Sequence, residues 1–407
     1  MIKILKNIGI IALMVPSWSN AQSLSFDQNI DVLKAQNKIS TTHNDLKINR
    51  SHFLPTLSLN TGLGSEFLKD NSSTDQGPYL FIEGKLNLYN GGADSNNSKI
   101  IQTNVLKNNL EKIIITNKLK NDTYKLVAEI EMLTNDNSML QNEILENQIQ
   151  LKMAQKKVDA GLTTAADLLD FEIKNENILN EIQKNTFRKN ELEIEISTLL
   201  NKSFDLVTLK KELNVEESTT KNKTEIKNLP ELKIQELEVT ASKLEISNAK
   251  STYLPTLDLE AKYGSITPHK KLFEDKSEHA IQLNLNIPLF SGFETNYKVA
   301  NAVFTNSEKQ RELKQVELEL NNKFNNLNSK IELNNKILTN LNKSLINAKK
   351  YKDLIIFEYK KGIKNSADVI SASNNKLEIN RKINDLANEN KILKFSLLTN
   401  FNTSEEL

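Results

Sequence analysis

Phe53-Leu-Pro-Thr-Leu-Ser-Leu59 returns 200 residues later as Tyr253-Leu-Pro-Thr-Leu-Asp-Leu259. Two further matches keep the same order. Leu88-Tyr-Asn-Gly91 pairs with Leu289-Phe-Ser-Gly292, and Gly161-Leu-Thr-Thr-Ala-Ala-Asp167 pairs with Gly362-Ile-Lys-Asn-Ser-Ala-Asp368, both at a spacing of 201. Ordered matches at near-constant spacing make the chain a tandem duplication of a unit of about 200 residues, so the fold is read unit by unit.

Around each Leu-Pro-Thr-Leu the apolar residues alternate. Leu57, Leu59, Thr61, Leu63, Ser65 and Phe67 alternate with Thr56, Ser58, Asn60, Gly62, Gly64 and Glu66. Leu80, Ile82, Gly84, Leu86 and Leu88 form a second row, Leu257, Leu259, Ala261 and Tyr263 a third, and Ile281, Leu283, Leu285, Ile287 and Leu289 a fourth. A period of two predicts strands, here two hairpins. They exceed the usual 5–6 residues of soluble strands and suit the roughly 9–11 needed to cross a bilayer. One face is apolar and the other polar, with Tyr79, Tyr89, Tyr253 and Phe290 near the ends. That is the pattern of barrel staves with an aromatic girdle.

Beyond these zones the period changes to that of helices. After residue 21, Gly and Pro gather in the strand zones, with Pro230, Gly161 and Gly362 standing apart. Helix interiors exclude both residue types, so the tracts between are free to be helical. Leu126, Ile130, Leu133, Asn137, Leu140, Ile144, Asn147 and Leu151 step by fours and threes. So do Leu320, Phe324, Leu327, Ile331, Asn334, Leu338, Leu341, Leu345, Ala348, Lys352 and Ile355. These are heptad seams, whose Asn residues set register or face water. Gly161 and Gly362 suit the left-handed residue that ends a helix. Thr164-x-x-Asp167 and Asn365-x-x-Asp368 then resemble capping boxes that start return helices.

Composition narrows the function. Charges nearly cancel, with 53 Lys+Arg against 52 Asp+Glu, which argues against a nucleic-acid binder. Absence of Cys excludes disulfides, thiolate metal sites, a cysteine nucleophile and an N-terminal lipidated Cys. His43, His52, His269 and His279 form no ligand pair, so no metal site and no cofactor are expected. A hydrophobic content of 38% with 26% charged residues suits long helices with a narrow seam better than one thick core. Lys3 and Lys6, then Ile8 to Val15, then Ser19-Asn20-Ala21, read as a secretory signal peptide.

The predicted layout follows. A signal peptide occupies 1–21. A first repeat spans 22–202, with a helix at 25–51, strands at 53–68 and 79–90 and helices at 93–158 and 164–200. A linking region covers 203–229. The second repeat spans 230–400, with a helix at 230–251, strands at 253–266 and 279–290 and helices at 295–360 and 366–398, before a short tail at 401–407. Lys69–Pro78 and Thr267–Glu278 are the expected hairpin loops. Four membrane strands do not close a barrel, and an open edge in lipid is not viable. Copies must therefore share one. Three give twelve strands with room for a lumen, whereas an eight-stranded interior fills with side chains.

The order of helix, Leu-Pro-x-Leu strand, strand ending in an aromatic-x-Gly turn, long helix, Gly tip and return helix, all twice, resembles the TolC family of outer-membrane efflux proteins. The resemblance covers essentially the whole chain after the signal peptide. It implies an α+β membrane protein, a homotrimer with a 12-stranded barrel in outer-membrane lipid continued by a helical barrel in the periplasm of a Gram-negative bacterium. It further implies a passive, non-enzymatic exit duct. The duct would work with a periplasmic adaptor and an inner-membrane transporter of RND, ABC or MFS type, for small-molecule efflux or, alternatively, type I protein secretion. Two other classes stay open, a periplasmic coiled-coil adaptor and a hydrolase, but the two long alternating hairpins do not belong to an adaptor, and Gly-turn acids repeated symmetrically at the helix tips are odd for one active site.

By that resemblance the tips Gly161, Leu162, Thr163, Gly362 and Ile363 face the adaptor. Asp368 matches an acidic position lining the closed aperture, Ser371 stands where a second acid is expected, and Asp170 is its first-repeat counterpart. Tyr359 and Lys364 match positions that hold the tip shut through the return helix carrying Asp167, Lys replacing an Arg and losing its bidentate fork. Asp167 and Asp368 read equally as N-terminal caps. Leu57, Leu59, Leu63, Leu86, Leu257, Leu259, Ile281, Leu283, Leu285 and Ile287 are the expected lipid-facing residues.

Overall fold

A computed structural model describes residues 26–67, 74–213, 226–268, 272 and 277–401. The expected signal peptide, most of the tail and parts of the linking region and both hairpin loops lie outside the described residues.

The first repeat runs α1 (Ile30–Ser51), β1 (Thr56–Phe67), β2 (Thr74–Asn90), α2 (Ala93–Asp159) and α3 (Ala165–Leu200). The linking region holds α4 (Leu206–Glu212) and a short 3-10 turn at Ile226–Asn228. The second runs α5 (Pro230–Ser251), β3 (Thr256–Ser265), β4 (Glu278–Asn286), α6 (Glu294–Lys360) and α7 (Ser366–Phe401). Pro230 sits at the first turn of α5, where its missing N–H removes no helix bond. α2 and α6 have 67 residues each, about 100 Å at 1.5 Å per residue. Among the described residues no helix is long and apolar enough to cross a membrane.

The strands form one antiparallel sheet in the order β1-β2-β3-β4. Register stacks the apolar rows across it. Leu59 opposes Ile82, Ile82 opposes Tyr263, Leu86 opposes Leu259 and Leu259 opposes Leu283. An irregularity between Asn87 and Tyr89 brings Tyr89 opposite Leu257, which opposes Leu285. Leu57, Leu59, Leu63, Ile281, Leu283 and Leu285 are all exposed in the single chain, and Leu86 is half-buried. The other face carries a charge ladder, Glu83 between Lys85 and Lys262, with Lys262 also 2.7 Å from Glu260.

Three boundaries differ most from the sequence reading. β2 begins at Thr74, inside the expected loop, because its early residues pair with the end of β1. β4 stops at Asn286 rather than 290, so Ile287 is exposed but lies beyond the strand, next to Pro288, which has no N–H for a ladder. α1 starts at Ile30 rather than 25, where Asn29 accepts from Asp31 and Val32 as its cap.

Helix packing is tied together at mid-length. Tyr124 of α2 stacks on Phe395 of α7 with centroids 3.9 Å apart, inside a cluster with Val127, Ile196, Leu200 and Leu209 of α4. The seam Asn residues bridge helices. Buried Asn147 donates to the Phe171 carbonyl of α3 at 2.7 Å, and Asn334 donates to Glu389 of α7 at 3.2 Å.

Candidate functional site

Both long helices end at a glycine with positive φ, 68° at Gly161 and 78° at Gly362. The N–H of Leu162 reaches back to the Lys157 carbonyl, and that of Ile363 to the Glu358 carbonyl. This closure satisfies the last helix carbonyls and needs the left-handed region that glycine enters freely. It throws Leu162 and Ile363 outward, 77% and 68% exposed. Leu162 and Ile363, two of the docking residues expected from the sequence, thus stand as small apolar knobs at the ends of α2 and α6, while Thr163 is half-buried. Beside Leu162, a groove of about 390 Å³ is lined by Met153, Lys156, Lys157 and Lys360.

The two return helices start differently. Asp368 accepts from the Asn365 N–H at 3.3 Å while Asn365 accepts from the Asp368 N–H at 3.0 Å, a reciprocal cap. Asp167 takes the Thr163 hydroxyl at 2.5 Å and reaches across to Ser366, whose hydroxyl lies 2.7 Å from it and 2.7 Å from Asp170. Burial alone would raise the Asp167 carboxyl. The bonds from Thr163 and Ser366 and the nearby Lys157 charge instead hold it below the ordinary aspartate range. Asp170 and Ser371 line one open hollow of about 520 Å³ with Asn374, Asn375 and Glu378.

Tyr359 is fully buried among Ala154, Phe171, Ile355, Val369 and Ala372. Its ring lies edge-on to Phe171 at 6.0 Å and beneath the Lys157 ammonium at 3.8 Å, and Lys157 also donates to the Tyr359 carbonyl. Burial, with the Asp167 charge, pushes the phenol up to about 12. The hydroxyl has no hydrogen-bond partner among the described residues. Lys364 pairs with Asp368 of its own tip at 3.7 Å, not with Asp167. Within one copy Ser366 joins the second tip to the Asp167 helix, and Lys157 joins α2 to Tyr359 of α6.

Sequence reading missed Ser366 and Lys157, and it missed a buried ion cluster further up the helices. Glu143 of α2 accepts from Lys174 of α3 at 2.6 Å and from Ser373 of α7, with Lys352 of α6 at 3.5 Å. Lys352 also bonds Glu146, which takes Lys376 of α7 at 3.0 Å. Burial opposes the charge on Glu143, but Lys174, Ser373 and Lys352 hold its carboxyl down to about 2. Burial pushes Lys174 below the usual lysine value, against the pull of Glu143. These groups line a cavity of about 710 Å³ between the four helices. One signal was available: Lys352 occupies a seam position, where an apolar residue is the rule. Among the described residues no group of side chains is placed to hold a metal ion.

The geometry defines a class: a duplicated long-helix protein with a four-stranded sheet, apolar on one face, at one end and paired tips at the other. Comparison with solved structures places the fold. CusC, described for transmembrane channel formation, matches with a TM-score of 0.81 at 14% identity, over 94% of this chain and 91% of that one. VceC, an outer membrane protein of Vibrio cholerae, matches at 0.78 and 12% identity, over 94% and 95%. The MtrE outer membrane channel of Neisseria gonorrhoeae matches at 0.73 and 12%, over 93% and 87%. No curated protein matches the sequence. The outer membrane efflux protein family matches residues 223–392, essentially the second repeat. The chain accordingly shares the fold of these outer-membrane proteins, and its second repeat matches the outer membrane efflux protein family. Of these solved proteins, CusC and MtrE are described as channels.

Proposed function

We propose that three copies form a passive exit duct, a shared 12-stranded barrel in the outer membrane continued by a helical barrel in the periplasm. The carrying observation is the sheet. Among the described residues its edge strands β1 and β4 pair with no further strand, and much of its apolar face is exposed. In lipid such edges are satisfied only by closure with other copies. The charged face of Glu83, Lys85, Glu260 and Lys262 then lines a wet lumen.

At the far end, Leu162 and Ile363 are the contacts for a periplasmic adaptor, which joins the duct to an inner-membrane transporter. The cargo is small molecules, in keeping with the efflux description of the matching family. Asp167, Asp170, Asp368, Tyr359, Lys364 and Ser371 surround the periplasmic aperture and set its resting width. The test is native mass in detergent with conductance in planar bilayers. A trimer that conducts, and whose Asp368→Asn variant is less cation-selective, supports the reading. A stable monomer or a trimer without conductance overturns it.

A further inference from the structure

The ends of α2 and α6 enclose the groove of about 390 Å³ beside Leu162. Met153 and Leu162 give it an apolar lining. Lys156 and Lys157 of α2 and Lys360 of α6 complete it, and no described carboxylate lines it. Like charges around one hollow repel each other, so the groove is poised to receive negative charge.

Other lysines at this end have local partners. Lys364 pairs with Asp368 at 3.7 Å, and the Lys361 ammonium lies 4.3 Å from the centroid of the Phe357 ring. Lys157 caps the Tyr359 ring and donates to its carbonyl. Lys156 and Lys360 are exposed and have no carboxylate or ring against them among the described residues.

The duplication shows that this charge belongs to the groove and not to the helix ends in general. At the spacing of 201, Met153 and Leu162 match Leu354 and Ile363, so the apolar character repeats. The lysines do not repeat. Lys156 matches Phe357, Lys157 matches Glu358, and Lys360 matches Asp159.

An occupant must therefore bring an apolar side chain into the hollow and carboxylates to both sides of it. A helix does this with one apolar residue and acids three or four positions away, which share its face. An anionic lipid surface has the right sign but the wrong shape. It would meet projections such as Leu162 rather than a hollow, and Asp159 and Glu358 at the same end of the bundle would repel it.

We propose that this groove recognises an acidic helical segment of the periplasmic adaptor, with an apolar residue seated between Met153 and Leu162 and carboxylates paired with Lys156 and Lys360. This rests on the adaptor reading above and adds the sign and the place of the contact.

The probes are three synthetic helical-hairpin peptides, each with one Leu near its turn flanked a helical turn away by Glu, Lys or Gln. Fluorescence anisotropy reads their binding to the detergent-solubilised protein. The Glu hairpin should bind about tenfold tighter than the Gln hairpin, and the Lys hairpin weakest of all. Salt at about 0.5 M should erase most of the difference. Lys156→Glu with Lys360→Glu should reverse the order without changing the native mass, since both side chains are exposed. Lys118→Glu with Lys343→Glu, the same charge change away from the tips, should keep the wild-type order. Equal binding of the three hairpins, or an order that survives Lys156→Glu with Lys360→Glu, overturns the inference and leaves the adaptor reading standing. Binding to phosphatidylglycerol vesicles that the same double variant abolishes, with no order among the hairpins, assigns the lysines to a lipid surface and also overturns it. A conducting trimer that binds no hairpin of any sign overturns the adaptor reading and the inference together.

Discussion

The Ser366 hydroxyl lies 2.7 Å from a carboxylate oxygen of Asp167, 199 residues away in sequence. The first turn of the second return helix is thereby fastened to the first turn of the other. Ser366 is 1% exposed, so the bond is shielded from water. Its single hydrogen serves Asp167 or Asp170, but not both at once. Ser366→Ala removes the donor and leaves two carboxylates facing each other. We expect a loss of about 0.5–1.5 kcal/mol locally, in line with one hydrogen bond. Faster trypsin cleavage at the tip lysines would register it, and unchanged cleavage would show that the fastening carries no weight.

The Tyr359 hydroxyl is buried without a partner among the described residues, whereas its ring is fully packed. Tyr359→Phe should change thermal stability by less than about 1 kcal/mol, because no bond within the chain is lost. Tyr359→Ala should cost roughly 3–5 kcal/mol by emptying the space beside Phe171. Thermal midpoints separate the two. A large loss with Phe would place a partner for the hydroxyl on another copy.

Gly362 has a φ of 78°, and a Cβ there would meet nothing within 4 Å. Gly362→Ala therefore costs backbone strain alone, about 1–2 kcal/mol, with no clash. Hydrogen exchange should rise in the last turn of α6 and the first of α7 and stay unchanged at the sheet.

Acid should act on the ion cluster late. The Glu143 carboxyl is held down to about 2 from 4.5, so its stabilising contribution is complete above the unfolded value and is lost as pH falls from about 4.5 toward 2. Exchange protection around Glu143 should persist at pH 5 and collapse toward pH 2. Glu143→Gln should remove that dependence. Protection lost already at pH 5 would contradict it.

Leu285 lies in the apolar row opposite Leu257 and is 61% exposed in the single chain. Leu285→Arg should cost roughly 2–4 kcal/mol if the position lies at the bilayer midplane. Heat-resistant oligomers on a gel should be depleted relative to wild type. Undiminished oligomers would mean that Leu285 does not face lipid.

Much of the architecture was legible because it rests on local rules. Alternation from Leu57 to Leu63 and from Ile281 to Leu285 carries the strand period, heptads from Leu126 and Leu320 carry the helix period, and Gly161 and Gly362 mark the ends by backbone freedom alone. The repeated motifs set the order of elements. None of these needs knowledge of what lies across the fold. Tertiary structure decided the partners. Asp167 and Asp368 start equivalent helices with the same local spacing, yet Asp368 closes its own cap while Asp167 bonds Ser366 of the other repeat. Lys364 lies with Asp368, and Lys157 takes the place beneath which Tyr359 packs. Glu143, Lys174 and Lys352 read individually as charges on long helices, and only the meeting of four helices buries them together. A side chain's period comes from its own backbone, whereas the charge opposite it depends on how distant helices are rotated and staggered, which no single segment encodes.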